Sequence, residues 1–222
     1  MEEFDPFGWL EKYLPAGSIH LLIRISLIAI LIVFLIHRIS SYNLYIFKPL
    51  WIVETLIFIV FLVIYLIRRD PVNRSKGIKE IIVPLIGGIL PFALLFSPPN
   101  VLIAGNPIAI QIIFYWMTAA TALTVWGLWT LRRSFSITVE VRDLVISGPY
   151  RWIRHPIYSG EILAALAVTV WRFSLLNIFI ITLFIVIQLR RAKWEEDKLA
   201  LVFPDYSIYA AKTNWLFPHK KK

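Results

Sequence analysis

The chain of 222 residues contains no cysteine. Disulfides, thiolate metal sites and cysteine nucleophiles are thereby excluded, and the redox compartment is left open. Charge is scarce as well. Only 17% of residues are Asp, Glu, Lys or Arg, against about 25% in an average soluble domain. From Ile81 through Leu131 there are 51 consecutive residues without Asp, Glu, Lys, Arg or His. A bilayer span takes about 20 apolar residues, so this stretch is long enough for two. A soluble protein of this length has no core able to bury it. The first residues, Met1 to Asp5, carry no basic segment, and no cleaved signal peptide is expected. Internal repeats are absent too.

What is present is apolar: 59% of the residues are hydrophobic and the mean hydropathy is +0.72. Apolar runs predict an all-α integral membrane protein of about six transmembrane helices, at residues 18–36, 49–67, 79–96, 107–130, 157–171 and 174–189. The last two read as a short helical hairpin joined at Trp171-Arg172-Phe173-Ser174. Pro49 and Pro107 stand where a first helical turn tolerates proline, and Ser97-Pro98-Pro99-Asn100 breaks the long apolar run. Pro84, Gly87, Gly88 and Pro91 lie inside the third run, which is expected to be kinked or loosely wound.

The loops set the orientation. With the amino terminus, residues 68–80, residues 131–156 and the tail from Arg190 on one side, that side holds nineteen Lys and Arg residues and the other three. Lys and Arg concentrate on the cytoplasmic side, so a multi-pass protein with both termini cytoplasmic is expected. The same loops account for the net charge of +9, and no nucleic-acid partner is expected. Arg24, Glu54 and Glu161 fall inside or at the edge of spans, where charge is expensive. Arg24 is expected to snorkel inward and Glu54 to face neighbouring helices. Their depths argue against a direct pair, and neither is assigned to catalysis.

Residues 131–156 and 190–222 flank the hairpin, so both meet at one inner surface. In Gly148-Pro149-Tyr150-Arg151-Trp152-Ile153-Arg154-His155-Pro156-Ile157-Tyr158-Ser159-Gly160, Pro156 starts a helix and holds His155 extended at its mouth. Unpaired N–H groups and the positive dipole end lie there. Arg151 and Arg154 add charge, which makes an anion site for a carboxylate or phosphate. Tyr158, one turn further in, offers a ring face and a hydroxyl. The same residues also fit a plain basic inner loop with a proline-started helix. No metal site is expected, since His155 has no partner at ligand spacing. In Arg190 to Leu199 the helical wheel places Glu195 and Glu196 beside the apolar stripe of Ala192, Leu199, Val202 and Phe203, pointing into the protein. An Arg191–Glu195 surface pair is the alternative.

These residues carry a resemblance. Arg154-His155-Pro156-Ile157-Tyr158, with Gly148-Pro149-Tyr150 before it and Ser159-Gly160 after it, is similar to the RHPxY signature of the isoprenylcysteine carboxyl methyltransferase family. The wider membrane phospholipid methyltransferases share that signature. Arg133-Ser134-Phe135-Ser136 and Leu144-Val145-Ile146-Ser147 resemble the approach to it. Glu195-Glu196, Phe203, Asp205-Tyr206, Tyr209 and Leu216-Phe217-Pro218 resemble the carboxy-terminal half. Pro204 departs from the family's usual glycine.

The resemblance implies a membrane methyltransferase that uses S-adenosyl-L-methionine in a cytoplasmic pocket, with a lipophilic acceptor entering from the bilayer. It explains why no glycine-rich loop of a soluble methyltransferase is present. By motif, His155, Pro156, Tyr158, Gly160, Glu195 and Glu196 would hold the cofactor, Arg154 and Arg151 the acceptor, and Arg154 and Glu195 would be catalytic. No metal is required. Residues 107–222 would form the methyltransferase core and residues 1–106 an accessory or acceptor-side part. The most specific reaction implied is carboxyl O-methylation of a prenylcysteine or similar isoprenoid acid. Alternatives are N-methylation of a phospholipid head group, S-methylation of a small thiol, a sterol-type reductase, or a small membrane transporter or scaffold.

Overall fold

The computed structural model describes residue 13 and residues 18–67, 79–136 and 138–217, with the side chains of 18–24 excepted. Arg24's side chain lies outside the described residues. So do Lys12, Arg68, Arg69, Arg74, Lys76 and the lysines at 220–222, all counted above in the topology.

The described chain is all-helical. Eight α-helices follow in order: α1 (Ser18–Ser40), α2 (Lys48–Ile67), α3 (Lys79–Ile89), α4 (Val101–Ala104), α5 (Pro107–Leu131), α6 (Pro156–Trp171), α7 (Leu175–Val202) and α8 (Tyr206–Lys212). Local chemistry sets their ends. Asn106 caps α5 by accepting from the N–H groups of Ile108 and Ala109 at 3.1 and 3.2 Å, and Pro107 follows as its first residue. Ser174 caps α7 by accepting from Asn177 N at 3.0 Å. After Ile89 the third helix tightens into a 3-10 segment, Leu90–Phe96. Pro91 has no N–H to give an α-helical bond, so the expected loose winding takes this form.

Among the described residues four helices are long and apolar enough to cross a membrane: Lys48–Ile67, Lys79–Phe96, Pro107–Ser134 and Leu175–Val202. Helix α6, Pro156–Trp171, is shorter, and of the 23-residue α1 the part Ile25–Ser40 is likewise apolar. At 1.5 Å per residue the 16 residues of α6 reach about 24 Å, less than the hydrocarbon thickness. The hairpin is present, but its return arm is not short. Helix α7 continues unbroken for 28 residues and carries Arg190 to Lys198 towards its carboxy-terminal end. Large apolar side chains such as Ile52, Phe92, Ile112 and Phe179 are exposed along these helices, the face a bilayer covers.

Helices α5 and α6 form the closest pairing. Small residues permit it. A Cβ on Gly160 would stand 2.3 Å from Thr124 Oγ1, and one on Gly127 2.8 Å from Ile157 Cγ1. At the end of the bundle where α6 begins, Val60, Ile64, Leu128, Ile157, Tyr158, Ala192 and Leu216 pack together. A second cluster, built around Leu94, Ile162, Ile181 and Phe184, packs the segment Leu90–Phe96 against α6 and α7. The opposite end is closed by Arg172, which donates to the carbonyls of Leu95 and Ser97, and by Asn177, which donates to Leu94 O at 3.0 Å. Glu54 does face a neighbouring helix, and its partner is Arg38 at the end of α1. Helix α5 ends at Arg132 with φ 45° and ψ −111°, the one non-glycine positive φ among the described residues. Such a conformation costs about 1–3 kcal/mol.

Candidate active site

Gly148 opens the motif with φ +55°, and a Cβ there would lie 2.6 Å from Thr130 Oγ1. No other residue fits this corner, so the turn into the 3-10 segment Gly148–Arg151 requires glycine. Pro156 then starts α6 and His155 caps it. The carboxy-terminal segment lies across this start. Arg154 N donates to Asn214 O at 2.8 Å, His155 N to Trp215 O at 3.1 Å, and Asn214 N to Trp152 O at 3.0 Å. Ser159 Oγ donates to Leu216 O. Tyr209 of α8 reaches back to Tyr150 O at 2.8 Å. Residues 213–217 thus form a strap bound to the backbone of the motif.

The strap changes the expected anion site. Two N–H groups at the mouth of α6 are taken by carbonyls, and the flanking charges are met by carboxylates of the chain itself. Arg154 Nε donates to Glu196 Oε1 at 2.6 Å, and His155 Nε2 lies 3.2 Å from the same oxygen. Arg154 Nη1 donates to Ala210 O and Thr213 O, both at 2.8 Å, and so caps the carbonyl end of α8. Arg154 Nη2 makes no hydrogen bond among the described residues. Tyr158 donates its hydroxyl to Glu195 Oε1. Glu195 Oε2 is 3.9 Å from His155 Nδ1. The rings of His155 and Tyr158 stack at 5.5 Å, 9° from parallel.

Both glutamates therefore turn inward, as the wheel places them. Lys193 and Asp197 pair at 2.9 Å on the exposed face. Two turns of α7 supply a further layer. Arg191 sits 4.9 Å above the Tyr158 ring and donates to Gln188 Oε1 at 2.9 Å, while Gln188 donates to Glu161 on α6. Reading Arg191 as a surface partner of Glu195 missed this layer. Its signal is the recurrence of Gln188, Arg191 and Glu195 at helical spacing on one face. Tyr206 carries part of the resemblance, but its place beside Glu196 was missed. Burial pushes its phenol well above the ordinary range, and the neighbouring Glu196 carboxylate adds to this. Burial also moves Tyr209 up to about 12.

The structure brings together Arg154, His155, Tyr158, Glu195 and Glu196. Pro156 contributes through the backbone turn it sets. Gly160 packs its α-carbon against Thr124 and Ala120 of α5. Arg151 is exposed beside the Trp152 ring and makes no contact with the glutamates. Among the described residues no group of three His, Cys, Asp or Glu could hold a metal ion.

This is a site of buried, mutually oriented charges at one end of a membrane helix bundle. Residues 100–205, just under half of the chain, match the model of the phospholipid methyltransferase family. That segment is similar to the membrane methyltransferases of this family. No curated protein matches the chain.

Proposed function

We propose that the protein transfers the methyl group of S-adenosyl-L-methionine to a lipophilic acceptor at the cytoplasmic face of the membrane. The observation that carries this reading is the interlock of the Arg154-His155 pair and Tyr158 with Glu195 and Glu196, residues about forty positions apart in sequence. The residues present fit such a cofactor. Trp215 Nε1 and Asn214 Oδ1 are buried and have no hydrogen-bond partner among the described residues, so the strap offers a donor and an acceptor that a polar ligand would satisfy. When bound, the cofactor supplies an activated methyl group, and neither a covalent nucleophile nor a metal is needed.

The protein's task is then to bind, orient and exclude water. Glu195 is the better match for the cofactor's ammonium group. Its Oε2 is only loosely approached by His155, whereas Glu196 Oε1 is shared by Arg154 and His155. Glu196 holds those two groups in place. His155 and Tyr158 offer stacked rings and Pro156 fixes their turn, with Gly160 keeping α6 against α5. Arg154, through Nη2, faces the acceptor, and Arg151 adds positive charge on the approach.

The acceptor we favour is a carboxylate, a prenylcysteine or similar isoprenoid acid, because Arg154 Nη2 can receive a carboxylate oxygen and no base is needed for O-methylation. The family match favours a second reading, N-methylation of a phospholipid head group. Residues 107–222 would be the methyltransferase core and residues 1–106 the accessory part, with both termini cytoplasmic. Incubation with labelled cofactor, a lipid extract and a prenylcysteine analogue, followed by mild alkali, tests this. Label released as methanol supports the carboxyl acceptor. Alkali-stable label in lipid assigns N-methylation, and no transfer to either refutes the activity.

A further inference from the structure

A second feature lies on the same inner surface and shares no residue with the cluster around Glu195. Where α5 ends, an open cavity of about 550 Å³ is bounded by Thr130, Arg132, Arg133, Asp143 and the segment up to Ser147. Next to it a smaller apolar recess of about 160 Å³ runs between α2 and α5, lined by Val63, Ile64, Ile67, Trp129 and Arg132. Arg132 and Ile67 line both. Arg132, at the junction, is the residue with the positive φ, and its guanidinium lies 5.1 Å from the Trp129 ring. Arg132 and Arg133 are exposed. Asp143, the carboxylate in the cavity, accepts from Ser134 Oγ at 3.0 Å.

We infer that this pair of recesses binds an anionic phospholipid of net charge −1, its phosphate on Arg132 and Arg133 and an acyl chain along the groove between α2 and α5. Charge complementarity carries the assignment. Among the described lining residues two guanidiniums stand against one carboxylate, an excess of +1 that a phosphodiester with no compensating ammonium group neutralises. The polar cavity opens where head groups lie, and the recess that continues from it is wholly apolar. One lipid molecule spans both chemistries, whereas a free anion uses only the first. A glycine at 132 would suit the backbone better. The arginine stands at the point where both recesses meet.

The test measures unfolding temperature and lipid affinity of the full-length protein in neutral detergent with added phosphatidylglycerol, phosphatidylcholine or inorganic phosphate. Phosphatidylglycerol is expected to raise the unfolding temperature and the other two to leave it unchanged. Arg132→Gly removes the guanidinium while accepting the positive φ, so the variant should fold at least as well as the wild type and bind phosphatidylglycerol about tenfold more weakly or worse. Arg133→Gln, in an ordinary backbone conformation, should weaken it in the same direction. Equal stabilisation by phosphatidylcholine, the same shift from inorganic phosphate, or unaltered phosphatidylglycerol affinity in both variants would overturn the assignment. Methyl transfer is not part of the readout, so failure here leaves the proposed reaction untouched.

Discussion

Gly160→Ala is the substitution whose cost follows most directly from the geometry. A Cβ at this position meets Thr124 Oγ1 at 2.3 Å, Ala120 O at 2.7 Å and Thr124 N at 2.9 Å. Rotation of Thr124 relieves the first contact but neither of the others, since both are backbone atoms of α5. Ordinary contact begins near 3.4 Å, so the helices must part by about 0.7 Å at their tightest point. Overpacking of this kind costs about 1–3 kcal/mol, and the upper end applies because backbone cannot yield locally. Gly88→Ala is the matched control. Its Cβ meets nothing within 4 Å, and alanine in a helix interior gains about 0.5–1 kcal/mol over glycine. Unfolding of both variants in detergent, followed by tryptophan fluorescence, should move in opposite directions. Thr124→Ala should restore only part of the Gly160→Ala loss. Gly160→Ala stability within about 0.5 kcal/mol of wild type, with cofactor binding alone impaired, would refute the helix-spacing role and return Gly160 to direct cofactor contact.

Three further outcomes follow from the site. Glu195→Gln should weaken cofactor binding with little change in folding, whereas Glu196→Gln should cost stability, because it leaves Arg154 and His155 without their shared carboxylate; calorimetric binding and unfolding on both variants check the split. Arg154→Ala removes one ion pair and two bonds to the carbonyls of Ala210 and Thr213, which should lower the opening free energy of the strap by about 2 kcal/mol or more, read as faster hydrogen exchange at 213–216. Tyr209 stays neutral in the folded protein up to about 12 against an ordinary value of 10.0, so the folded state holds the extra proton between these values; strap stability is complete below pH 10 and falls as pH rises through that window, and Tyr209→Phe should remove this component.

The helices were legible because lipid and helix impose the same constraint on the sequence. A span must be apolar for about 20 residues and must satisfy its own backbone, so Pro107, Pro156 and the gap at Ser97 to Asn100 mark boundaries without any tertiary information. The inward turn of Glu195 and Glu196 was legible for a related reason: an apolar stripe on the same helix fixes which side is buried. The return arm of the hairpin was not, because hydropathy ends at Leu189 while the helix does not. Its last three turns are held by long-range partners, Lys198 with Glu80 at 2.6 Å and Glu196 with Arg154. Arg38 was placed in a loop by charge alone. Its pairing with Glu54 depends on how α1 and α2 cross, which composition does not encode.

The strap carries the same lesson into the chemistry. Free N–H groups and two cations at a helix start invite an external anion if the helix is considered alone. Here the carbonyls of Asn214 and Trp215 and the carboxylate of Glu196 reach that start first. Side chains of both signs meet in the connected cluster of Arg154, Arg191, Glu161, Glu195 and Glu196. Three carboxyl groups there stand against two guanidiniums. Such a surplus of carboxyl groups suits a cation, and a sulfonium cofactor is one on the reading proposed here. The positive helix start no longer selects an anion. It aims two glutamates, and on the reading proposed here these meet the ligand. On that count Glu195→Gln, which removes one carboxylate and keeps the side chain's shape, should weaken binding of the sulfonium cofactor. A Glu195→Gln variant that binds the cofactor as tightly as the wild type would show instead that the helix start itself binds the ligand's carboxylate.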